Sequence, residues 1–128
     1  MTRRRLQLGE SGEAIAARAL RRAGYRILAE RYACPLGEVD LVARDGGTLV
    51  FVEVKTRSSA DRYPPGEAVH LRKQRQIARV AEHYLAAIGA GAVPCRFDVV
   101  AITLPEGGGV PRIEVIRDAF PAEGIEVF

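Results

Sequence analysis

Asp40, Glu53 and Lys55 stand inside GEVDLVARDGGTLVFVEVKTR, residues 37–57, among neighbours that are those of buried strands. Acids and a lysine in such positions lower stability unless they are paired, hydrogen-bonded or set against a cation. Two carboxylates beside an ammonium can hold a hard divalent cation and neutralise charge that builds on a phosphate oxygen. Glu38 precedes Asp40 by two residues, which places both on one face of an extended chain. Further upstream, Glu13 stands three, four and seven residues before Ala16, Ala17 and Leu20, a spacing that turns it to the inward side of a helix. An acid there has a plainer use as well, because it stabilises a helix N-terminus by about 0.3–1 kcal/mol, and Glu10 can do the same.

Bringing these groups together is the work of a hairpin. Asp45-Gly46-Gly47-Thr48 reads as a two-residue turn, which glycines favour because the central positions need positive φ. The flanking strands then pair so that partner numbers sum to 93, with Asp40 across from Glu53 and Glu38 across from Lys55. Directly opposed residues lie with Cβ atoms about 4.5–5.5 Å apart, so two acids so placed call for a cation between them. A main-chain carbonyl next to Glu53 and several waters would complete an oxygen-ligand magnesium site. For Lys55 the competing reading is a salt bridge to Glu38 across the hairpin, worth little if exposed.

The remaining elements follow from periodicity and punctuation. Glu10 to Ala23 is predicted as a helix stopped by Gly24, and Tyr25 to Tyr32 as a first strand. Cys34-Pro35-Leu36-Gly37 is turn chemistry, Glu38 to Arg44 a second strand and Leu49 to Arg57 a third. Ser58 to Gly66 reads as a polar loop, and a long helix runs from about Glu67 to Ile88 with apolar residues stepping by three and four. Arg96 to Thr103 is a strand buried on both faces, and Arg112 to Arg117 an alternating edge strand. The order α-β-β-β-α-β-β specifies an α/β fold, a mixed sheet flanked by helices. Residues 1–8 form a basic arm, 9–118 one domain, and 119–128 a tail.

Composition narrows the field. A chain of 128 residues builds one hydrophobic core, and 48% hydrophobic with 27% charged residues is that of a soluble globular protein. No apolar run approaches the roughly 18 residues of a membrane span, and no signal-peptide core follows the basic start, so a cytoplasmic protein with no membrane partner is expected. Cys34 and Cys95 are read as free thiols, and with His70 and His83 the only histidines a histidine-rich zinc site is not expected. Net charge is only +3, but residues 1–79 hold sixteen Lys or Arg against nine acids, whereas residues 80–128 hold three against seven. A basic surface around a few carboxylates suits a phosphodiester substrate, although a solvated surface would look the same.

On the long helix Arg72, Arg75 and Arg79 fall on one stripe, while Lys73 and Gln76 sit closer to its apolar side and face the acids. With Arg57 on the third strand, these are the candidate nucleic-acid contacts. Arg3 to Arg5 are either phosphate contacts or a frayed terminus. Aromatic residues make up 6% of the chain and occupy core-like positions, which favours DNA held by its backbone over stacking of single-stranded bases.

Asp40, twelve intervening residues and Glu53-Val54-Lys55 resemble the D…ExK signature of the PD-(D/E)XK, or restriction-endonuclease-like, superfamily. The blocks GESGEAIAARAL, GEVDLVARD, FVEVKTR, GEAVHLRKQ and CRFDVVAI, spread over residues 9–103, are similar to the bacterial YraN family of small endonuclease-like proteins, and more distantly to archaeal Holliday-junction resolvases. The triplet is weak by itself; the five blocks in order are specific. The resemblance implies that Glu13, Asp40 and Glu53 bind Mg²⁺ or Mn²⁺, that Lys55 orients the attacking water or neutralises the phosphate, and that duplex or branched DNA is cut. The resolvase-like analogy adds, as an expectation the sequence itself does not decide, a homodimer with two sites on opposed strands. Glu38 departs from the simplest pattern, as an outer acid or as a rival partner for Lys55. Two other functions stand beside the nuclease: a noncatalytic nucleic-acid-binding module, and a structural or regulatory protein that pairs through its edge strand.

Overall fold

The computed structural model describes residues 11–59 and 69–121. The basic arm, most of the loop after Ser58, the start predicted for the long helix and most of the tail lie outside these residues. The elements are α1 (Gly12–Arg22), β1 (Arg26–Cys34), β2 (Gly37–Asp45), β3 (Thr48–Ser58), α2 (Leu71–Ile88), β4 (Cys95–Leu104) and β5 (Arg112–Phe120), in the order expected. Five strands form one mixed sheet in the order β1-β2-β3-β4-β5, with β3 and β4 parallel and the other neighbours antiparallel.

Each boundary has a local cause. Ser11 caps α1 by accepting a hydrogen bond from the Ala14 N–H at 3.1 Å, Glu13 lies in its first turn, and Arg21 and Arg22 lie in its last. At the start of α2, no side-chain cap is made by His70; instead the Gln74 amide donates to the Val69 carbonyl at 2.9 Å. Gly89, left-handed at φ 63°, ends α2. Val69 and His70 therefore precede the helix rather than belong to it.

The sheet separates two apolar layers. Ile15, Ala16 and Leu20 of α1 pack on Leu41, Ala43, Val50, Val52, Val100 and Ile102, while Ile77, Val80 and Tyr84 of α2 pack on Val39, Val42, Phe51, Phe97 and Val99. β4 is buried from Phe97 to Ile102, as a strand covered on both faces must be. β5 is the edge it was expected to be and continues to Phe120, so the tail begins later than residue 119; its exposed Arg112, Glu114, Arg117 and Asp118 charge that edge against further pairing. No helix among the described residues is long and apolar enough to cross a membrane. Cys34 and Cys95 are free thiols.

Candidate metal and phosphate site

The hairpin sets the register that its turn demands. Asp45 pairs Thr48, and the ladder runs to Leu41↔Val52, every pair summing to 93. Beyond that point the two strands part, and the pair expected between Asp40 and Glu53 is not a rung of the ladder. The cause shows in the packing of β2: Val39 and Val42 both lie in the α2-side core, whereas strict alternation would put them on opposite faces. On β1, Arg31 between the partners of Leu41 and Val39 has φ 53°, a left-handed backbone that marks the same irregularity. Freed from the ladder, the Asp40 carboxylate accepts the Val54 N–H at 2.8 Å. A side chain thereby takes the place of a main-chain carbonyl.

The acids do meet. Asp40 and Glu53 share a hydrogen bond at the base of a cavity of about 310 Å³ whose walls include Glu13, Glu38, Lys55 and Lys73. Glu53 is buried at 5% exposure and Glu13 at 9%. Burial, and then the negative charge of Asp40, raise the Glu53 carboxyl from 4.5 to about 7. Asp40 is also raised, first by burial, but the Val54 N–H and the proton from Glu53 both favour its ionised form. The two carboxyls thus titrate as a coupled pair, with full ionisation held above the usual carboxylate range.

Two ammonium groups face Glu53. The Glu53 Oε2 atom is 3.9 Å from Lys55 Nζ and 3.7 Å from Lys73 Nζ. Oε1 is buried and has no hydrogen-bond partner among the described residues. Hard carboxylate oxygens, one of them unsatisfied, on the wall of an open cavity are suited to a magnesium-like ion. Among the described residues no three His, Cys, Asp or Glu side chains form a closed cage. The donor set is therefore the Asp40–Glu53 pair, with Glu13 in the wall near enough to push Asp40 upward by its charge.

Other expected residues fall into three groups. Lys55 makes its ion pair with Glu53 rather than with Glu38, which lies exposed at the rim. Arg72, Arg75 and Arg79 are exposed and line a second cavity of about 610 Å³ together with Leu36, His70, Lys73 and Gln76, so Lys73 belongs to both. Arg57 is buried at 9% exposure and borders neither cavity, because the side of β3 that carries it is covered at that point. It therefore stands apart from the exposed arginines of α2.

Lys73, which the sequence turned toward the acids, does approach Glu53. Sequence reasoning missed a polar network elsewhere in the sheet. Asp98, fully buried, accepts from Tyr25 Oη at 2.6 Å, from Arg96 at 2.8 and 2.9 Å and from the Asp118 N–H at 2.9 Å. Burial first, and the bond to Asp98 next, push the Tyr25 hydroxyl up to about 12. An acid in the apolar run FDVVAI was the available signal.

Residues 12–102 match the model described as "Uncharacterised protein family UPF0102". A UPF0102 protein of Moorella thermoacetica is 49% identical over 120 residues, covering 94% of this chain and 98% of its own. That of Symbiobacterium thermophilum is 50% identical over 116 residues (91% and 98%), and that of Syntrophus aciditrophicus 50% over 117 (90% and 89%). These names give no activity, and they span essentially the whole of the cavity-forming chain.

Proposed function

The chain belongs to the uncharacterised protein family UPF0102, also known as YraN, and we propose for it the function that its acid and lysine cavity supports best: metal-dependent endonucleolytic hydrolysis of duplex or branched DNA. The single observation behind this reading is the hydrogen-bonded pair of half-buried Asp40 and buried Glu53, faced by two ammonium groups in an open cavity. Bound at these oxygens, Mg²⁺ or Mn²⁺ would polarise a phosphodiester and make a bound water more acidic. Asp40, fixed by the Val54 N–H, and Glu53, with its unsatisfied Oε1, are the holding residues; Glu13 supplies further negative charge from the α1 wall. Lys55 neutralises charge developing on the phosphate or orients the water. Arg72, Arg75 and Arg79 bind flanking phosphates, with Lys73 and Gln76 between them and the acids. A homodimer would set two such sites on opposed strands.

A second reading, a noncatalytic DNA-binding module, draws support from the lack of a three-ligand cage among the described residues. One panel separates the two. Purified protein is incubated with linear duplex, flaps, four-way junctions, single strands and plasmid in Mn²⁺ or in EDTA, with Lys55→Ala and Asp40→Ala as controls. Metal-dependent cleavage abolished in both variants is the expected result. Binding that ignores metal, with no cleavage of any substrate, overturns the nuclease and leaves the binding module.

A further inference from the structure

This chain contains seventeen arginines and only two lysines, Lys55 and Lys73. Both ammonium groups stand at the same oxygen of the same buried acid, at 3.9 and 3.7 Å. A sequence that uses guanidinium almost everywhere has ammonium in these two places, one from β3 and one from α2. Ammonium is a compact point charge that turns freely, while guanidinium is a planar fork that locks onto a carboxylate in two-point contact. The distances show what that difference allows. Both lie beyond hydrogen-bonding reach, so the lysines offset the charge of Glu53 without being bonded to it. Lys73 is held instead by Gln76, whose Oε1 accepts from it at 3.3 Å, and the Gln76 amide in turn donates to the Leu36 carbonyl at 3.4 Å. Gly37 is cut to fit this arrangement, since a Cβ there would come within 2.6 Å of Gln76. Lys73 is thus positioned on the wall common to the acid cavity and the basic groove.

We propose that Lys73 is a displaceable counter-ion: it neutralises Glu53 while no metal is bound, leaves that carboxylate when a divalent cation takes its place, and then binds the substrate phosphate lying between the two cavities. The inference rests on the nuclease reading above and adds to it a residue that couples metal binding to DNA binding. Lys55, on the rigid strand, keeps its position, whereas Lys73 changes partner and Gln76 positions it.

The test reads metal and DNA separately, without turnover. Mn²⁺ affinity is measured by electron paramagnetic resonance at pH 8.5, and affinity for a duplex is measured in Ca²⁺ and in EDTA, for the full chain and for Lys73→Ala and Lys73→Arg. Removing a positive charge beside the site is expected to tighten Mn²⁺ binding by roughly tenfold, while the gain in DNA affinity that metal confers on the wild type largely disappears. Lys73→Arg, which keeps charge, should keep weak Mn²⁺ binding and part of the DNA gain. If Lys73→Ala binds Mn²⁺ no more tightly, or keeps the full metal-dependent gain, the inference is wrong even though the wild type binds metal and cuts DNA. If the wild type binds no Mn²⁺, the nuclease reading fails and this inference with it.

Discussion

At the scale of single residues, the coupled carboxyls of Asp40 and Glu53 make stability, and the metal binding proposed for them, depend on pH. Glu53 titrates at about 7 in the folded chain against 4.5 ordinarily, so the folded state holds its proton more tightly than the unfolded state does. Its contribution is complete below about 4.5 and is lost as pH rises to about 7. Glu53→Gln keeps the shape without the charge and is expected to stabilise the chain by on the order of 1–3 kcal/mol at pH 8, with little effect at pH 4.5; thermal denaturation at the two values measures the difference. The same proton competes with a cation, so Mn²⁺ affinity should climb between pH 6 and 8 and level off above. Asp40 has a second duty through the Val54 N–H. Asp40→Ala should therefore destabilise by about 1–3 kcal/mol, because a part-buried donor loses its acceptor, whereas Asp40→Asn retains an acceptor and loses metal affinity with little change in melting temperature.

At the scale of elements, what could be foreseen and what could not divides along one line. The hairpin register was legible because Gly46-Gly47 specify a two-residue turn, and a turn of fixed length fixes every later pair. That Asp40 and Glu53 meet was legible for the same reason. How they meet was not: alternation in β2 fails beside Arg31, a non-glycine residue at φ 53° that no local pattern announces, so Asp40 reaches the main chain of β3 instead of lying opposite Glu53. Lys73 was placed correctly on the inner side of α2, but its distance to Glu53 depends on how α2 docks, which is tertiary information. The burial of Arg57 was not legible either, because an arginine two residues after Lys55 looks like surface in a chain so rich in arginine. β5 has a matching irregularity: its register against β4 shifts between Phe97 and Val99, Asp118 has φ 53°, and its N–H is held by Asp98. Asp98→Ala would take the acceptor from buried Tyr25, leave half-buried Arg96 with Asp45 as its remaining acid partner, and release that bulge. A loss of about 3–5 kcal/mol is expected, and hydrogen exchange should show β5 and the Tyr25 segment opening first. Preserved exchange protection across β5 would show that packing of Phe97 on Phe120 suffices to hold the strand.

At the scale of the whole molecule, the phosphate contacts proposed on α2 stand apart from the residues on which folding depends. The acids and lysines that would act on a phosphodiester sit at the edge of the core, where exchanging them alters stability. Arg72, Arg75 and Arg79 are exposed on α2 and line the groove that adjoins the acid cavity. Each arginine that neutralises one phosphate releases counterions, so log affinity falls with log salt at about 0.9 per contact. The triple exchange of Arg72, Arg75 and Arg79 to Ala should therefore lower the salt slope for duplex binding by about 2–3 and weaken binding alike across sequences. Melting temperature should stay within about a degree or two, since exposed helix positions tolerate Ala. The Mn²⁺ affinity should also hold, because none of the three borders the acid cavity. An unchanged slope would mean that DNA approaches over another face, and with the basic surplus concentrated in residues 1–79, the arm Arg3–Arg5 would be the next basic segment to exchange.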